Sequence, residues 1–173
     1  MRLARGLLLA ALLGWALAPE LPRYRAERLL RPATEALRQL VSRPGDVADP
    51  QNALTRIEQI ALAAAAGVPG DSRPWILAGS TRLVAGEPAR AIELYREALA
   101  LGERTEIDIN MGRAYEANGE PEKARAAFLR AVWISPALFP ALLPDVGAPL
   151  VAELHRMEEE LRDGRLKAPP PLP

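Results

Sequence analysis

The stretch MGRAYEANGEPEKARAAFLRAVWISP, residues 111–136, places glycine, proline, alanine and aromatic residues at intervals that recur earlier in the chain. When residues 72–104 are laid over residues 105–136, Gly79 falls over Gly112, an offset of 33 residues. The same register aligns further identical or similar pairs: Gly86/Gly119, Glu87/Glu120, Pro88/Pro121, Ala91/Ala124, Tyr95/Phe128 and Ala98/Ala131. These coincidences indicate an internal repeat.

Each copy of the repeat is predicted to form two short helices joined by a tight turn. The first helix ends where Gly86 supplies a left-handed residue, and Pro88 opens the second helix as a first-turn residue. In that second helix, apolar residues recur at helical spacing: Ala91, Leu94, Tyr95, Ala98 and Leu99. They form a broad apolar face, which a single hairpin cannot bury, so the units are expected to stack.

Small residues and aromatic residues have separate expected roles in this packing. Gly79 with Ala91, and Gly112 with Ala124, are expected to let the two helices of one unit approach closely. Tyr95 and Phe128 are expected to fill the space toward the neighbouring unit.

These residues resemble the tetratricopeptide repeat. The first unit carries the pattern at Trp75, Ala78, Gly79, Gly86, Ala91, Tyr95 and Ala98, and the second carries it at Met111, Gly112, Tyr115, Gly119, Ala124, Phe128, Ala131 and Pro136. The chain departs from the pattern at Arg82, where the family prefers an aromatic residue, and at Asp108, where it prefers a large apolar one. It also has Glu103 in place of the closing proline. The resemblance covers residues 72–136 and implies an all-α fold, a short right-handed α-solenoid of helix hairpins.

The flanking segments complete the predicted organisation. In residues 19–71, N-terminal helices are expected, and Ala53, Ile57 and Ile60 have the spacing of the second helix of a degenerate repeat. In residues 137–166, a capping helix of roughly 15 residues is expected, with an apolar stripe against the last repeat. The stripe consists of Leu150, Val151, Leu154, Met157 and Leu161. Residues 167–173 form a proline-rich tail, expected to be a solvated end.

Residues 1–18 have the features of an export signal. Two arginines precede an apolar run from Gly6 to Ala18, which ends in a small-x-small pattern. Pro19 follows directly and is unfavourable for cleavage, so a retained membrane anchor is the alternative. The arginines of residues 23–31 argue against an anchor whose body faces outward. The sequence thus predicts a periplasmic protein or one attached to the inner membrane and facing the periplasm.

The composition gives little support for catalysis or for nucleic-acid binding. The chain has no cysteine and one histidine, and its 22 basic residues balance 22 acidic ones. His155 has no set of partners nearby in the sequence, and Glu158, Glu159 and Glu160 fan around a helix rather than converge. Gly79 and Gly112 lie within predicted helices, not in a phosphate-binding loop. We therefore predict no enzymatic activity, no cofactor, no metal site and no nucleic-acid partner.

The resemblance implies a site for a protein or peptide partner on the concave face, which the first helix of each unit forms. Carried over residue by residue, the site consists of Arg73, Ile76, Ser80, Leu83, Val84, Glu106, Ile109, Asn110, Arg113 and Glu116. The counterpart of Asn110 in some family members hydrogen-bonds the backbone of a bound peptide, and an amide suits that task. Alternatively, Asn110 faces solvent without a ligand, and the chain's own N-terminal helices cover the apolar members of the set.

The predicted function is a non-catalytic protein-interaction scaffold or adaptor in the bacterial cell envelope. Two alternatives remain. The first is a small periplasmic chaperone for an amphipathic cargo segment, which requires Ile76, Leu83 and Ile109 to be available. The second is an accessory subunit of a membrane enzyme complex, which requires residues 1–18 to be retained.

Overall fold

The fold is all-helical over the part of the chain that the structure describes. A computed structural model describes residues 20–138, 148–165 and Pro170. Seven α-helices lie in these ranges: α1 (Glu20–Ser42), α2 (Pro50–Gly67), α3 (Arg73–Val84), α4 (Pro88–Ala100), α5 (Thr105–Ala117), α6 (Pro121–Ile134) and α7 (Ala148–Arg162). Two short 3₁₀ segments, Pro44–Asp46 and Pro136–Leu138, follow α1 and α6.

Each helix packs against the next one along the chain. The connections between helices α1 to α6 are short, which places successive helices side by side with opposite directions. In addition, α1 contacts α3, and α3 contacts α5. The odd-numbered helices α1, α3 and α5 therefore form a continuous row.

The core consists of two adjoining clusters that meet at α3. Leu77 and Ala78 of α3 belong to the cluster formed mainly by α1 and α2. Ile76, on the same helix, belongs to the cluster that continues through α4, α5 and α6 to α7. Trp75 is half-buried and packs against both clusters. Helix α3 thus joins the N-terminal helices to the rest of the protein.

The two repeats have the same turn geometry. Gly86 has φ of 78° and Gly119 has φ of 75°, both in the left-handed region that favours glycine. The N–H of Glu87 donates to the carbonyl of Arg82 at 2.9 Å, and the N–H of Glu120 donates to the carbonyl of Tyr115 at 2.9 Å. Since both turns close on the preceding helix in this way, the helix–turn–helix prediction for residues 72–136 is confirmed.

A glycine of the first helix lies against an aromatic ring of the second helix in both hairpins. A Cβ atom on Gly79 would lie 2.6 Å from Cε1 of Tyr95, and one on Gly112 would lie 2.5 Å from Cε1 of Phe128. Real Cβ atoms essentially never approach other atoms so closely. The expectation that these rings fill the space toward the neighbouring unit was incomplete, because the absent side chain of glycine leaves room for the ring within its own hairpin.

Arg82, one of the departures from the repeat pattern, bridges two helices. Its guanidinium makes a bidentate contact with the carboxylate of Glu58 on α2, with Nε 2.7 Å from Oε1. A second contact joins its Nη1 to Oε1 of Glu87 at 2.9 Å. Glu58 is buried, so this ion pair satisfies a carboxylate that would otherwise be costly to bury. The pair fixes the N-terminal helices against the first repeat.

The flanking helices agree in position with the sequence predictions. Helix α7 packs on α6, with Leu154 and Met157 buried and the other stripe residues partly buried against the core. In α2, Ile57 is buried, but Ala53 and Ile60 are only partly buried. The buried stripe instead uses the neighbouring residues Leu54, Ala61, Ala64 and Ala65, along with Ile57 and Glu58.

Some predictions fall outside the described residues. These are the export signal or anchor in residues 1–18, residues 139–147 of the predicted cap region, and all of the proline-rich tail except Pro170. The carbonyl of Pro170 accepts a hydrogen bond from Nη1 of Arg130 at 2.6 Å. This residue of the tail therefore contacts the protein.

The contact between Gly112 and Phe128 predicts a large effect of a single methyl group. We expect Gly112→Ala to lower the free energy of unfolding by about 1 to 3 kcal/mol, since the added Cβ overpacks a filled space. Urea unfolding measures this change. The matched control is Gly67→Ala at the end of α2, where a Cβ would meet nothing within 4 Å. That variant should be neutral or more stable by up to about 1 kcal/mol.

A double-mutant cycle identifies the cause. Phe128→Leu makes space for the new methyl group, so the double variant should lose less stability than the sum of the two single variants. Additive losses would show that the ring is not what excludes a side chain at residue 112.

Candidate functional site

A cleft opens along the row formed by α1, α3 and α5. It has a volume of about 270 Å³ and lies beside four residues of the predicted site, Arg73, Ile76, Ser80 and Glu106. The other lining residues are Thr34, Leu37, Leu77 and Arg104. Helix α1 therefore supplies one wall of a site that the sequence analysis placed on α3 and α5 alone.

The floor of the cleft is apolar and closely packed. Leu37, Ile76 and Leu77 are all buried, with their side chains shared between the cleft and the two core clusters. Because these residues are almost fully buried, they offer only a shallow apolar surface to a ligand. A cleft of this volume is smaller than ordinary small-molecule sites, which measure roughly 300 to 1,000 Å³. It suits one or two side chains of a larger ligand.

Arg73 lines the cleft and is held by two carboxylates. Its Nη2 lies 2.7 Å from Oδ2 of Asp71, and its Nη1 lies 2.6 Å from Oε2 of Glu27 on α1. The hydrogen bonds that Arg73 donates lower the pKa of the Asp71 carboxyl, and their acceptance by Asp71 and Glu27 raises the pKa of the Arg73 guanidinium. Two carboxylates thus already neutralise Arg73, which holds α1 beside α3 rather than offering a free positive charge.

Ser80 lines the cleft and is hydrogen-bonded to the core of the first repeat. Its Oγ shares a hydrogen bond of 3.0 Å with Oη of Tyr95. Burial raises the pKa of Tyr95 to about 12, so the phenol is neutral at physiological pH. A hydroxyl has one donor and two acceptor positions, and Ser80 is half-buried. It retains hydrogen-bonding capacity for a ligand in the cleft.

The opposite rim carries charges of both signs at the start of α5. Nη2 of Arg104 lies 4.0 Å from Oε2 of Glu106, and both side chains are largely exposed. An ion pair this long and this exposed contributes little energy, so either partner is readily available to a ligand.

Six predicted site residues do not line the cleft: Leu83, Val84, Ile109, Asn110, Arg113 and Glu116. Leu83 and Ile109 are half-buried and pack against the core, whereas Val84 is 41% exposed at the end of α3. Oδ1 of Asn110 accepts a long hydrogen bond of 3.4 Å from Nη1 of Arg113. The predicted site residues are therefore divided: four line the cleft, and the other six lie elsewhere on α3 and α5.

Four residues that line the cleft were not in the predicted set: Thr34, Leu37, Leu77 and Arg104. Leu77 is the sequence neighbour of the predicted Ile76. Arg104 directly precedes α5 and was detectable only as the neighbour of the matched positions. For Thr34 and Leu37, the sequence shows an amphipathic helix but gives no signal that it lies beside α3 and α5.

A larger, open depression adjoins the cleft on the α1 side. It has a volume of about 730 Å³ and shares Thr34 and Arg73 with the cleft. The rest of its lining consists of Leu30, Pro32 and charged residues of both signs: Glu27, Arg31, Glu35 and Arg38. The two depressions together form a groove with alternating charge.

Asp108 is a buried carboxyl group on α5. Neither of its oxygen atoms has a hydrogen-bond partner within the described ranges, and the residue is almost completely buried. Its pKa is raised to about 7, chiefly by burial and also by the nearby Glu103 carboxylate, while Arg130 opposes the shift. Arg130 itself is paired with Glu103, with Nη2 2.8 Å from Oε2. Asp108 does not line the cleft, so its effect is expected on stability.

Residues 20–138, 148–165 and Pro170 contain no group of three or more acidic or histidine side chains positioned to hold a metal ion. Within the same part of the chain, no helix combines the length and the apolar character needed to cross a bilayer.

Comparisons of the chain with protein-family models, with curated proteins and with solved structures gave no match.

The environment of Asp108 predicts an unusual dependence of stability on pH. Between its ordinary pKa of 3.8 and about 7, the folded carboxyl binds more protons than the unfolded one. Its contribution to the free energy of unfolding therefore falls as pH rises through that window. We expect Asp108→Asn to remove this component, so that the variant is more stable than wild type by about 1 to 3 kcal/mol at neutral to alkaline pH.

Urea unfolding at about pH 5 and about pH 8 tests the prediction, because the charge on Asp108 differs most between these values. Asp46→Asn, at an exposed position, is the matched control and should keep the wild-type pH dependence. An identical pH profile for wild type and Asp108→Asn would contradict the assignment.

Proposed function

We propose that this protein is a non-catalytic interaction scaffold or adaptor of the tetratricopeptide-repeat type, in which residues 72–136 belong to a short right-handed α-solenoid. It binds a peptide or helical segment of a partner protein in the groove along α1, α3 and α5. Its place is the bacterial cell envelope, with residues 1–18 as an export signal or anchor.

The repetition of hairpin geometry is the single observation that supports the proposal most. The left-handed glycine, the turn hydrogen bond and the glycine–aromatic contact all recur at the offset of 33 residues. Stacked hairpins of this kind bury a shared core and leave one helix of each hairpin facing an extended surface. In this chain α3 and α5 are those helices, and α1 extends the row.

The chemistry of the groove favours a polypeptide ligand. An apolar floor from Leu37, Ile76 and Leu77 suits one or two apolar side chains. The rim offers a serine hydroxyl, the exposed Arg104 and the exposed Glu106, which suit the polar backbone and mixed charges of a protein segment. The exposed charges at the rim affect the rate and specificity of association more than its strength.

The chaperone alternative receives less support from the packing. It requires Ile76, Leu83 and Ile109 to be available to an apolar cargo segment. Of the three, only Ile76 lines the cleft; Leu83 and Ile109 are half-buried against the core. These three residues therefore do not form an extended apolar surface to which a cargo segment could bind.

Site-specific photo-crosslinking tests the proposed groove. A photoreactive amino acid replaces Glu106, which lines the cleft, and in a control chain it replaces Glu97, which is exposed on α4. We expect a specific adduct with an envelope protein from position 106 and none from position 97. Equal adducts at both positions, or an adduct at 97 alone, would contradict the groove as the binding site.

A blocking substitution makes the test quantitative. Thr34→Arg adds a long charged side chain to the wall of the cleft without changing a buried residue, and it should weaken binding of the crosslinked partner about tenfold or more. Thr55→Arg, at an exposed position on α2, is the matched control and should bind like wild type. Isothermal titration calorimetry with the purified partner segment measures both affinities.

A further inference from the structure

The outer face of the first half of α1 is apolar and basic. Helix α1 packs on the protein through one stripe, Ala26, Leu30, Ala33, Leu37 and Leu40. On the opposite side, residues at helical spacing face solvent: Leu21, Tyr24, Arg25, Arg28 and Arg31. Leu21 is 54% exposed, Tyr24 is 62% exposed, and Leu29 at the edge of the face is 45% exposed. Three large apolar residues are thus exposed within nine positions of one helix.

The acidic residues of this segment do not neutralise the outer face. Glu20 forms an ion pair with Arg23, with Oε1 3.1 Å from Nη1. Glu27 forms an ion pair with Arg73 on α3, with Oε2 2.6 Å from Nη1. Within the part of the chain that the structure describes, no carboxylate forms an ion pair with Arg25, Arg28 or Arg31. These three arginines therefore present a local positive charge on a protein whose overall charge is zero.

Tyr24 and Arg28 form a contact that suits a lipid headgroup region. The guanidinium carbon of Arg28 lies 6.0 Å from the centre of the Tyr24 ring. Tyrosine rings are enriched at the level of the headgroups because one end is apolar and the other is polar. Arginine side chains reach lipid phosphates while their stems cover apolar surface.

We propose that the face formed by Leu21, Tyr24, Arg25, Arg28 and Arg31 lies on the surface of an anionic lipid bilayer. The arginines contact the phosphates, and Leu21 and Tyr24 enter the boundary between headgroups and acyl chains, with α1 parallel to the bilayer. This contact goes beyond the attachment proposed for residues 1–18, and of its five residues only Arg31 also lines the groove. Basic amphipathic helices of this kind combine a modest apolar area with attraction to anionic lipids.

Vesicle binding by the full chain tests the electrostatic part. Co-sedimentation is compared between phosphatidylcholine vesicles and vesicles in which about a third of the lipid is phosphatidylglycerol. Arg2 and Arg5 would also favour anionic vesicles, so the comparison between variants that all keep them reports on the arginines of α1. We expect wild type to prefer anionic vesicles by about tenfold or more, and added salt to weaken that preference.

The variant Arg25→Gln/Arg28→Gln should lose most of this preference; Arg31 is left unchanged because it also lines the larger depression of the groove. The matched control, Arg56→Gln/Arg90→Gln, removes the same charge from exposed positions on α2 and α4 and should keep it. An equal loss in both variants would overturn the proposal, because net charge would then explain binding. No preference in wild type would overturn it as well.

A second measurement locates the contact on the helix. The chain contains no cysteine, so Tyr24→Cys gives a unique site for an environment-sensitive fluorophore. We expect a blue shift on anionic vesicles at this position and none for Val41→Cys, which is exposed near the other end of α1. A shift at 41 but not at 24 would overturn the proposed face. The two proposals can be tested separately. If the arginine variant loses vesicle binding while the crosslink from position 106 persists, the lipid-binding face is distinct from the groove.

Discussion

The contact between a glycine and an aromatic ring determines the packing of both repeat hairpins. Phe128 lies where the side chain of residue 112 would be, and Tyr95 lies in the same way over Gly79. Each ring is completely or almost completely buried and packs with small residues of its own helix, Ala91 and Ala98 or Ala124 and Ala131. The separation of the two helices in a hairpin, and through it the stacking of the next hairpin, depends on this one missing side chain.

The departures from the repeat pattern have physical explanations in the structure. Arg82 replaces an expected aromatic residue and forms an ion pair with the buried Glu58, which connects α2 to α3. Glu103 replaces the expected proline and pairs with Arg130, which also binds the carbonyl of Pro170. Asp108 is different, because burial without a hydrogen bond costs stability. The first two departures add connections between elements, whereas the third reduces stability as the carboxyl ionises.

Helix α1 connects the two proposals. One of its sides packs on α2, Thr34 and Leu37 line the cleft, and its N-terminal half carries the exposed basic face. Glu27 lies between these regions and is held by Arg73, the residue at the rim of the cleft. In the proposed arrangement, the protein rests on a bilayer through the first half of α1 and presents its groove to a partner beside the membrane surface.

The helices and turns of residues 72–136 could be predicted from the sequence, because glycine, proline and helical apolar spacing act locally. The position of α7 could also be predicted, and four of the predicted site residues line the cleft: Arg73, Ile76, Ser80 and Glu106. That α1 forms a wall of the cleft is visible only in the tertiary structure, since an amphipathic stripe shows that a helix is buried but not against what. The pairing of Arg73 with Glu27 likewise depends on the tertiary fold, because Glu27 lies 46 residues away in the chain, whereas Asp71 is a near neighbour of Arg73 in the sequence.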